Sequence, residues 1–365
     1  MPLTRVELRG FRNIERADVE LGASITVIHG ANGAGKTNLL EAIHFALTGG
    51  SCRTRNDREM IAFGAPAARA EVTLENSDGR SRYTASIARS GERRIDSEGP
   101  AAASSERPPV GVFLPDRLVL IKGAPAERRT HLDRLVAAIW PARAELRRRF
   151  GRALAQRNAL LARIRSGDGD AQALAAWDGA FARQALAVIE ARREATDAVM
   201  APFGALSREL GLEPAAELRY RPRIDATSAE EIEAELAERR DEDLARGYSA
   251  HGPQADELVL EFGGRVLRRY GSQGQQRLAL LALLLAERQA LIDRRDVVPL
   301  MLLDDVTSEL DLEHRRLLVE RLHGAGQAVI TATEAGQIPV QTGLHLVAAG
   351  ELQQPQAPPA SAAAA

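Results

Sequence analysis

The eight residues Gly30-Ala-Asn-Gly-Ala-Gly-Lys-Thr37 constrain this chain more than any other stretch. They fill every required position of the pattern Gly-x4-Gly-Lys-[Ser/Thr]. An alternating apolar run (Ile25, Val27, Ile28) precedes them, and the helix-like Asn38-Leu-Leu-Glu-Ala-Ile-His-Phe45 follows. Glycine is needed because such a loop turns its N–H groups inward with φ values that a Cβ obstructs. The helix that follows aims its positive end at the same point. Gly30, Ala31, Asn32, Gly33, Ala34, Gly35, Lys36, Thr37 and Asn38 are therefore expected to cradle nucleotide phosphates. Lys36 would reach the β and γ phosphates, and Thr37 would offer its hydroxyl to Mg2+. A plain glycine-rich turn opening a helix would leave the Lys-Thr pair unexplained.

A partner half-site appears far downstream. Val297-Val-Pro-Leu-Met-Leu-Leu-Asp-Asp305 reads as a buried strand ending in two carboxylates. Asp304 is expected to meet Mg2+ beside Thr37, and Asp305 to orient or deprotonate an attacking water. About 270 residues separate the two half-sites. Simple nucleotide kinases do not need that spacing, whereas ABC-type ATPases do. They place a signature segment just before the carboxylate strand and a Ser-x-Leu-Asp loop just after it. Here these are Gly271-Ser-Gln-Gly-Gln-Gln-Arg277 and Ser308-Glu-Leu-Asp311. The expected fold is α/β, an ABC-type P-loop ATPase head with an inserted α-helical lobe.

The rest of the chain fits that plan. Residues 1–117 read as the N-terminal half of the ATPase lobe, with strands around Leu3–Leu8, Ala17–Leu21, Ala70–Leu74 and Tyr83–Ile87. Arg9, Arg12 and Asn13 lie between the first two strands, as a solvated turn or as nucleotide contacts, with Arg12 the candidate among them. Residues 118–247 read as the helical lobe, with helices expected over 142–165, 171–200 and 229–244. Residues 248–350 return to the ATPase lobe, and the Pro- and Ala-rich 351–365 reads as a disordered tail.

Net charge is −2, so attraction to nucleic acid must come from local patches. The densest is 128–165, with eleven arginines and few acids; Arg148, Arg149 and Arg152 are the candidate DNA contacts. Only two of the 48 basic residues are lysines, Lys36 and Lys122, which marks Lys122 for attention. A single cysteine, Cys52, excludes a disulfide framework and suits a reducing cytoplasm. The longest apolar run, 278–286, falls far short of the ~20 residues that span a bilayer, so no membrane role is expected.

Taken together, these segments resemble the RecF family of SMC-like ABC ATPases along nearly the whole chain. The P-loop alone says only NTPase. The specific matches are Arg53-Thr-Arg-Asn-Asp-Arg-Glu59, Phe113-Leu-Pro-Asp-Arg-Leu-Val-Leu-Ile-Lys-Gly123, Arg128-Arg-Thr-His-Leu-Asp133, Gly252-Pro-Gln-Ala-Asp256 and Leu302-Leu-Asp-Asp-Val-Thr-Ser-Glu-Leu-Asp311. The resemblance implies an ATP-dependent homodimer that binds gapped or single-strand/duplex junction DNA and single-stranded DNA. It also implies action with RecO and RecR to promote recombinase loading in repair and replication. Two protomers would sandwich ATP and Mg2+, with Ser272, Gln273, Gly274 and Gln275 of one facing residues 30–37 and Asp304 of the other.

The sequence departs from the ABC pattern at several places. No glutamine occurs before Gln156, so the usual Q-loop glutamine is absent, with Asp116 a weak substitute. Asp305 replaces the more usual glutamate, which predicts weak, slow hydrolysis. Thr331 and Thr333 stand where a switch histidine is expected, and Gln254-Ala255 replaces the family's His-Arg. A structural SMC protein would need hundreds of heptad residues, but the insertion has about 130. A transporter ATPase would want the missing glutamine and histidine. An ATP-gated DNA clamp with incidental hydrolysis shares every motif and stays open.

Overall fold

Period-two alternation builds the first sheet. In β1 (Leu3–Phe11), Leu3, Val6, Leu8 and Phe11 are buried while Arg5 and Arg9 face water. β2 (Ile14–Glu20) buries Ile14, Ala17 and Val19 in the same way. β3 (Ile25–His29) is buried almost throughout, as a central parallel strand must be. It leads through residues 30–35 into α1 (Lys36–Thr48). The computed structural model describes residues 2–353 except 55, 78, 104–106, 115–117, 171, 307–309, 324–325, 335–337, 339–343 and 349–350, with backbone alone at 76, 102–103, 344–348 and 351–353.

The chain divides into two compact units, Met1–Asp116 with Val297–Ala365, and Arg117–Asp296. In the first, β4 (Ala67–Asn76), β5 (Gly79–Ala88) and β6 (Arg93–Glu98) extend β1 and β2 into an antiparallel sheet of order β2-β1-β4-β5-β6. A second sheet contains β7 (Val110–Phe113) and four later strands. These are β11 (Leu300–Leu303), β12 (Ala328–Ala332), β13 (Leu344–Ala348) and β14 (Glu351–Gln353). Its order is β14-β13-β3-β12-β11-β7, parallel except for the β13–β14 pair. α1 buries Leu39, Leu40, Ile43, Phe45 and Leu47 in a core shared with both sheets. Gln327 ties the layers together. It accepts from Leu3 N (2.7 Å) and donates to Leu3 O (2.7 Å) and Gly22 O (2.6 Å).

The second unit carries α2 (Val119–Lys122), α3 (Pro125–Ile139), α4 (Leu146–Arg165) and the long α5 (Ala173–Glu209). β8 (Glu217–Arg221), α6 (Ala229–Glu238), α7 (Arg240–Arg246), β9 (Glu257–Phe262), β10 (Arg265–Val266), α8 (Leu267–Tyr270) and α9 (Gln273–Arg295) complete it. Phe150, Phe181, Ile189 and Ile232 centre its core.

Several elements differ from expectation. β6 is missing from the sequence reading because all six of its residues are exposed and leave no apolar period. β8 lies inside the segment expected to be helical, and only its pairing with β9 makes it a strand. The helix expected to end at 200 continues through Pro202 to Glu209, carried by buried Val199 and Phe203. The expected return to the ATPase lobe at 248 falls instead at Val297, because β9 pairs with β8 and α9 packs on α5.

Candidate nucleotide-binding site

The loop after β3 has the backbone its glycines permit. Gly33 and Gly35 sit at φ +80° and +112°, in the left-handed region that a side chain resists. At Gly35 a Cβ would lie 3.0 Å from Asn13 Oδ1, so the β1–β2 turn closes over the loop there. Asn13 also donates to Gly33 O (2.9 Å) and accepts from Asn38 (2.7 Å). Asn13, expected from sequence as a turn residue or a nucleotide contact, thus ties the middle of the loop at Gly33 to the first turn of α1 at Asn38.

Lys36 is buried and donates to Gly30 O (2.7 Å) and Ala31 O (2.9 Å). Burial pulls its pKa below the usual lysine value, partly opposed by the charges of Asp304 and Asp305. The structure brings Thr37 and Asp304 together: Thr37 Oγ1 lies 2.9 and 2.8 Å from the two carboxylate oxygens. Asp304 follows β11 and Thr37 opens α1; β12 lies between the strands that present them. Burial raises the Asp304 pKa above the ordinary carboxylate value, against hydrogen bonds from Thr331 and Thr37 that lower it. A hydroxyl and a carboxylate at this separation are hard oxygen donors of the kind Mg2+ takes alongside phosphate. No cluster of three or more His, Cys, Asp or Glu able to hold a metal occurs among the described residues.

Thr331, at the place expected for a switch histidine, has a definite role. Its hydroxyl donates to Asp304 (2.7 Å) and accepts from Asp305 N (2.9 Å). Among the described residues, Asp305 is one of three non-glycine residues at positive φ, at +47°, so its backbone is held in a costly conformation just after β11. Thr333 is exposed. Of the Ser-x-Leu-Asp loop, Ser308 and Glu309 lie outside the described residues, as does Asp116. Asp311 caps α10 (Leu312–Leu322) by accepting from His314 N (2.9 Å).

Arg12 sits beside this loop but is committed elsewhere. At φ +55° it sends a bidentate pair of bonds to Glu41 (2.9 and 2.8 Å), whose side chain is fully buried. Ser51 donates to the same carboxylate at 2.5 Å, and Arg53 at 3.3 Å while also reaching Asn38 Oδ1 (2.9 Å). Burial pushes the Glu41 pKa up, but these donors and the two guanidinium charges outweigh it and leave the pKa below the ordinary value. Glu41 and Ser51 escaped the sequence reading. The available signal was an acid flanked by Leu40 and Ala42 on an otherwise apolar helix face.

In the second unit, Ser272 and Gln275 form a reciprocal capping box at the start of α9. Ser272 Oγ accepts from Gln275 N (3.2 Å), and Gln275 Oε1 accepts from Ser272 N (2.8 Å). Gln273 is exposed and Gly274 half-buried, and first-turn N–H groups have no intrahelical partner. Buried Gln276 locks the corner by donating to Leu267 O (3.2 Å) and Gly271 O (3.1 Å). Gln254 donates to Ser249 O and His251 O, both at 3.0 Å. Lys122 is exposed at the end of α2.

The arginine-rich segment is less free than its sequence suggests. Arg157 is wholly buried, on Asp178 (2.8 Å), Asp243 (2.6 Å) and Ser249 (2.6 Å). Arg128 is buried against Glu257 (2.7 Å), and Arg143 pairs with Glu194 (2.7 Å). Arg148, Arg149 and Arg152 are exposed along α4. Arg148 pairs with Glu145; Arg149 and Arg152 make no ion pair among the described residues.

The family model described as "RecF/RecN/SMC N terminal domain" matches residues 2–349. The chain is 37% identical to the DNA replication and repair protein RecF of Heliobacterium modesticaldum over 379 residues, 97% of this chain and 99% of that one. It is also 37% identical to RecF of Gloeobacter violaceus over 350 residues, 91% of this chain and 92% of that one. Its fold is similar to a solved structure of the recombination mediator protein RecF-ATP in the RecFOR pathway, with TM-score 0.84, 23% identity and coverage of 97% and 98%. An SMC head bound to the C-winged helix domain of ScpA is similar at TM-score 0.56 and 16% identity, over 97% and 96%. On identity and coverage together, the chain belongs to the RecF family of DNA replication and repair proteins.

Proposed function

We propose that this protein is an ATP-dependent, DNA-binding recombination mediator of gap repair and replication-linked repair. In this reading it dimerises on ATP and acts with RecO and RecR to promote recombinase loading. The observation that carries the nucleotide half is the contact of Thr37 with Asp304 beside a loop of left-handed glycines. That arrangement suits Mg2+ and a triphosphate and has no other evident use.

In this reading the loop N–H groups and the start of α1 bind the phosphates. Lys36, whose ammonium now rests on the carbonyls of Gly30 and Ala31, turns to the β and γ oxygens. Thr37 and Asp304 would hold Mg2+, which when bound would screen the phosphate charge. Thr331 fixes the Asp304 carboxylate, and Asp305 orients the attacking water. Ser272, Gln273, Gly274 and Gln275 of a second copy present the start of α9 to the γ phosphate: the capping box of Ser272 and Gln275 fixes the turn, and the N–H groups of Gln273 and Gly274 point to the anion. Arg12 and Asn38 act here by bracing the loop. Arg148, Arg149 and Arg152 supply phosphate contacts to DNA.

The short Asp305 favours a second reading, an ATP-gated DNA clamp in which weak hydrolysis is incidental. A DNA titration with and without ATP tests the first reading, using the parent and Lys36→Ala. ATP should tighten binding by the parent and do nothing for the variant. Equal enhancement in both would refute the assignment. Single-turnover hydrolysis with and without DNA separates mediator from clamp.

A further inference from the structure

The exposed face of the five-stranded sheet is patterned by rows. Register places Arg9 directly opposite Arg16 on one side and Arg69 on the other. The next positions along the row are Ser86 and then Arg94. Arg16, Arg9 and Arg69 are all exposed. Like charges directly opposite one another destabilise a sheet, so folding alone gives no reason for this row. Two residues along each strand, Asp18, Glu7 and Glu71 form an acidic row that bounds it. Arg69 leans on Glu71 (2.7 Å). Arg9 and Arg16 make no ion pair or side-chain hydrogen bond among the described residues, although the Arg16 charge helps to lower the Asp18 pKa.

Just past Arg9, where β1 ends, stands a built turn. Ala62 N donates to Gly10 O (2.8 Å), one residue from Arg9, and Ala65 N donates to Ala62 O (3.0 Å). Gly64 at φ +86° fills the position where a type II turn requires the left-handed region. Gly10 admits the segment: a Cβ there would come within 2.6 Å of Ala67 O. Just after β5, Arg89 donates to Ala65 O (2.6 Å) and Ala62 O (3.3 Å) and braces the turn from outside. On this fixed support Phe63 is fully exposed, at 107%. A rigid turn that holds a large apolar ring in water, next to unspent arginines, has the two parts of a single-strand site: a stacking platform and phosphate contacts.

We propose that Phe63 stacks an unpaired base of single-stranded DNA while Arg9 and Arg16 take the adjoining phosphates. The assignment rests on the DNA-binding reading above and adds a site, a strand state and a chemistry distinct from the α4 arginines. Charge selects a polyanion, and the open ring face selects a base outside the duplex.

The test is fluorescence anisotropy of a labelled oligo-dT and a blunt duplex, using the full chain with ATP over a range of salt. Phe63→Ala should weaken oligo-dT binding roughly five- to hundredfold with an unchanged salt slope, and Phe63→Trp should restore it. Arg9→Gln with Arg16→Gln should shallow the oligo-dT slope by about 1.4, at −0.7 per contact on single strands. Duplex binding should move less than twofold with Phe63→Ala. If the parent binds and all these variants match it within twofold, this site is wrong while the DNA-binding reading stands; the turn then serves another class of ligand. A parent that binds neither DNA overturns both. Equal losses on oligo-dT and duplex also overturn the single-strand assignment.

Discussion

Replacing Glu41 by Gln removes the charge at the centre of the network that braces the phosphate loop while keeping the side chain's shape. Glu41 accepts two bonds from Arg12 at 2.8–2.9 Å and one from Ser51 at 2.5 Å, with a weaker 3.3 Å contact from Arg53. A hydrogen bond to a charged group contributes about 1.5–3 kcal/mol and a neutral one about 0.5–1.5, so each strong Arg12 bond loses about 1 kcal/mol. Arg12 is 20% exposed and Arg53 30%, so solvent screens part of the remainder. The net expectation is about 2 kcal/mol, or about thirtyfold faster hydrogen exchange of the α1 amides. Exchange is the right probe because the two tryptophans, Trp140 and Trp177, both lie in the other compact unit. The pH sign follows from the depressed pKa. Its contribution is present above the ordinary value of 4.5 and lost as pH falls through the lower folded value, so parent and variant converge in acid. Identical exchange at neutral pH, or a gap that persists unchanged in acid, would refute the bracing role.

Arg157→Met should destabilise the helical unit by about 3–5 kcal/mol in urea unfolding followed by tryptophan fluorescence, because Asp178 and Asp243 stay buried without it. Adding Asp178→Asn and Asp243→Asn should recover part of that loss. Gln327→Leu strands Leu3 N, Leu3 O and Gly22 O and should cost at least about 1–3 kcal/mol, read as faster exchange at β1 and β12. Arg148→Gln, Arg149→Gln and Arg152→Gln together should shallow the duplex-DNA salt slope by up to about three units without changing nucleotide affinity. An unchanged slope would make that stretch of α4 a solvated face.

The parts of the molecule legible in the sequence are those whose chemistry is local. The loop at 30–37 and its flanking strand and helix carry their own pattern, and the strand before Asp304 declares itself by being apolar up to two acids. Pairings that depend on distant residues were hidden. β8 is a strand because β9 lies beside it, and six exposed residues become β6 only against β5. The arginine count in 128–165 misled for the same reason. The acids that absorb Arg128, Arg143 and Arg157 arrive from Glu257, Glu194, Asp178 and Asp243, far along the chain. Arg12 was read as a nucleotide contact, but only the structure sets its guanidinium on Glu41. Thr331 looked like the absence of a histidine and is instead the residue that orients Asp304.

The central claim is that ATP joins two copies through a site that neither completes alone. Sedimentation velocity measures this directly, with the parent, Lys36→Ala and Ser272→Arg each run with and without ATP and Mg2+. The account predicts a monomer without nucleotide and a dimer with it for the parent. Lys36→Ala should stay monomeric because it does not bind ATP, and Ser272→Arg should stay monomeric while still binding it. A parent that is a stable dimer without nucleotide, or that remains a monomer at saturating ATP, would contradict the account.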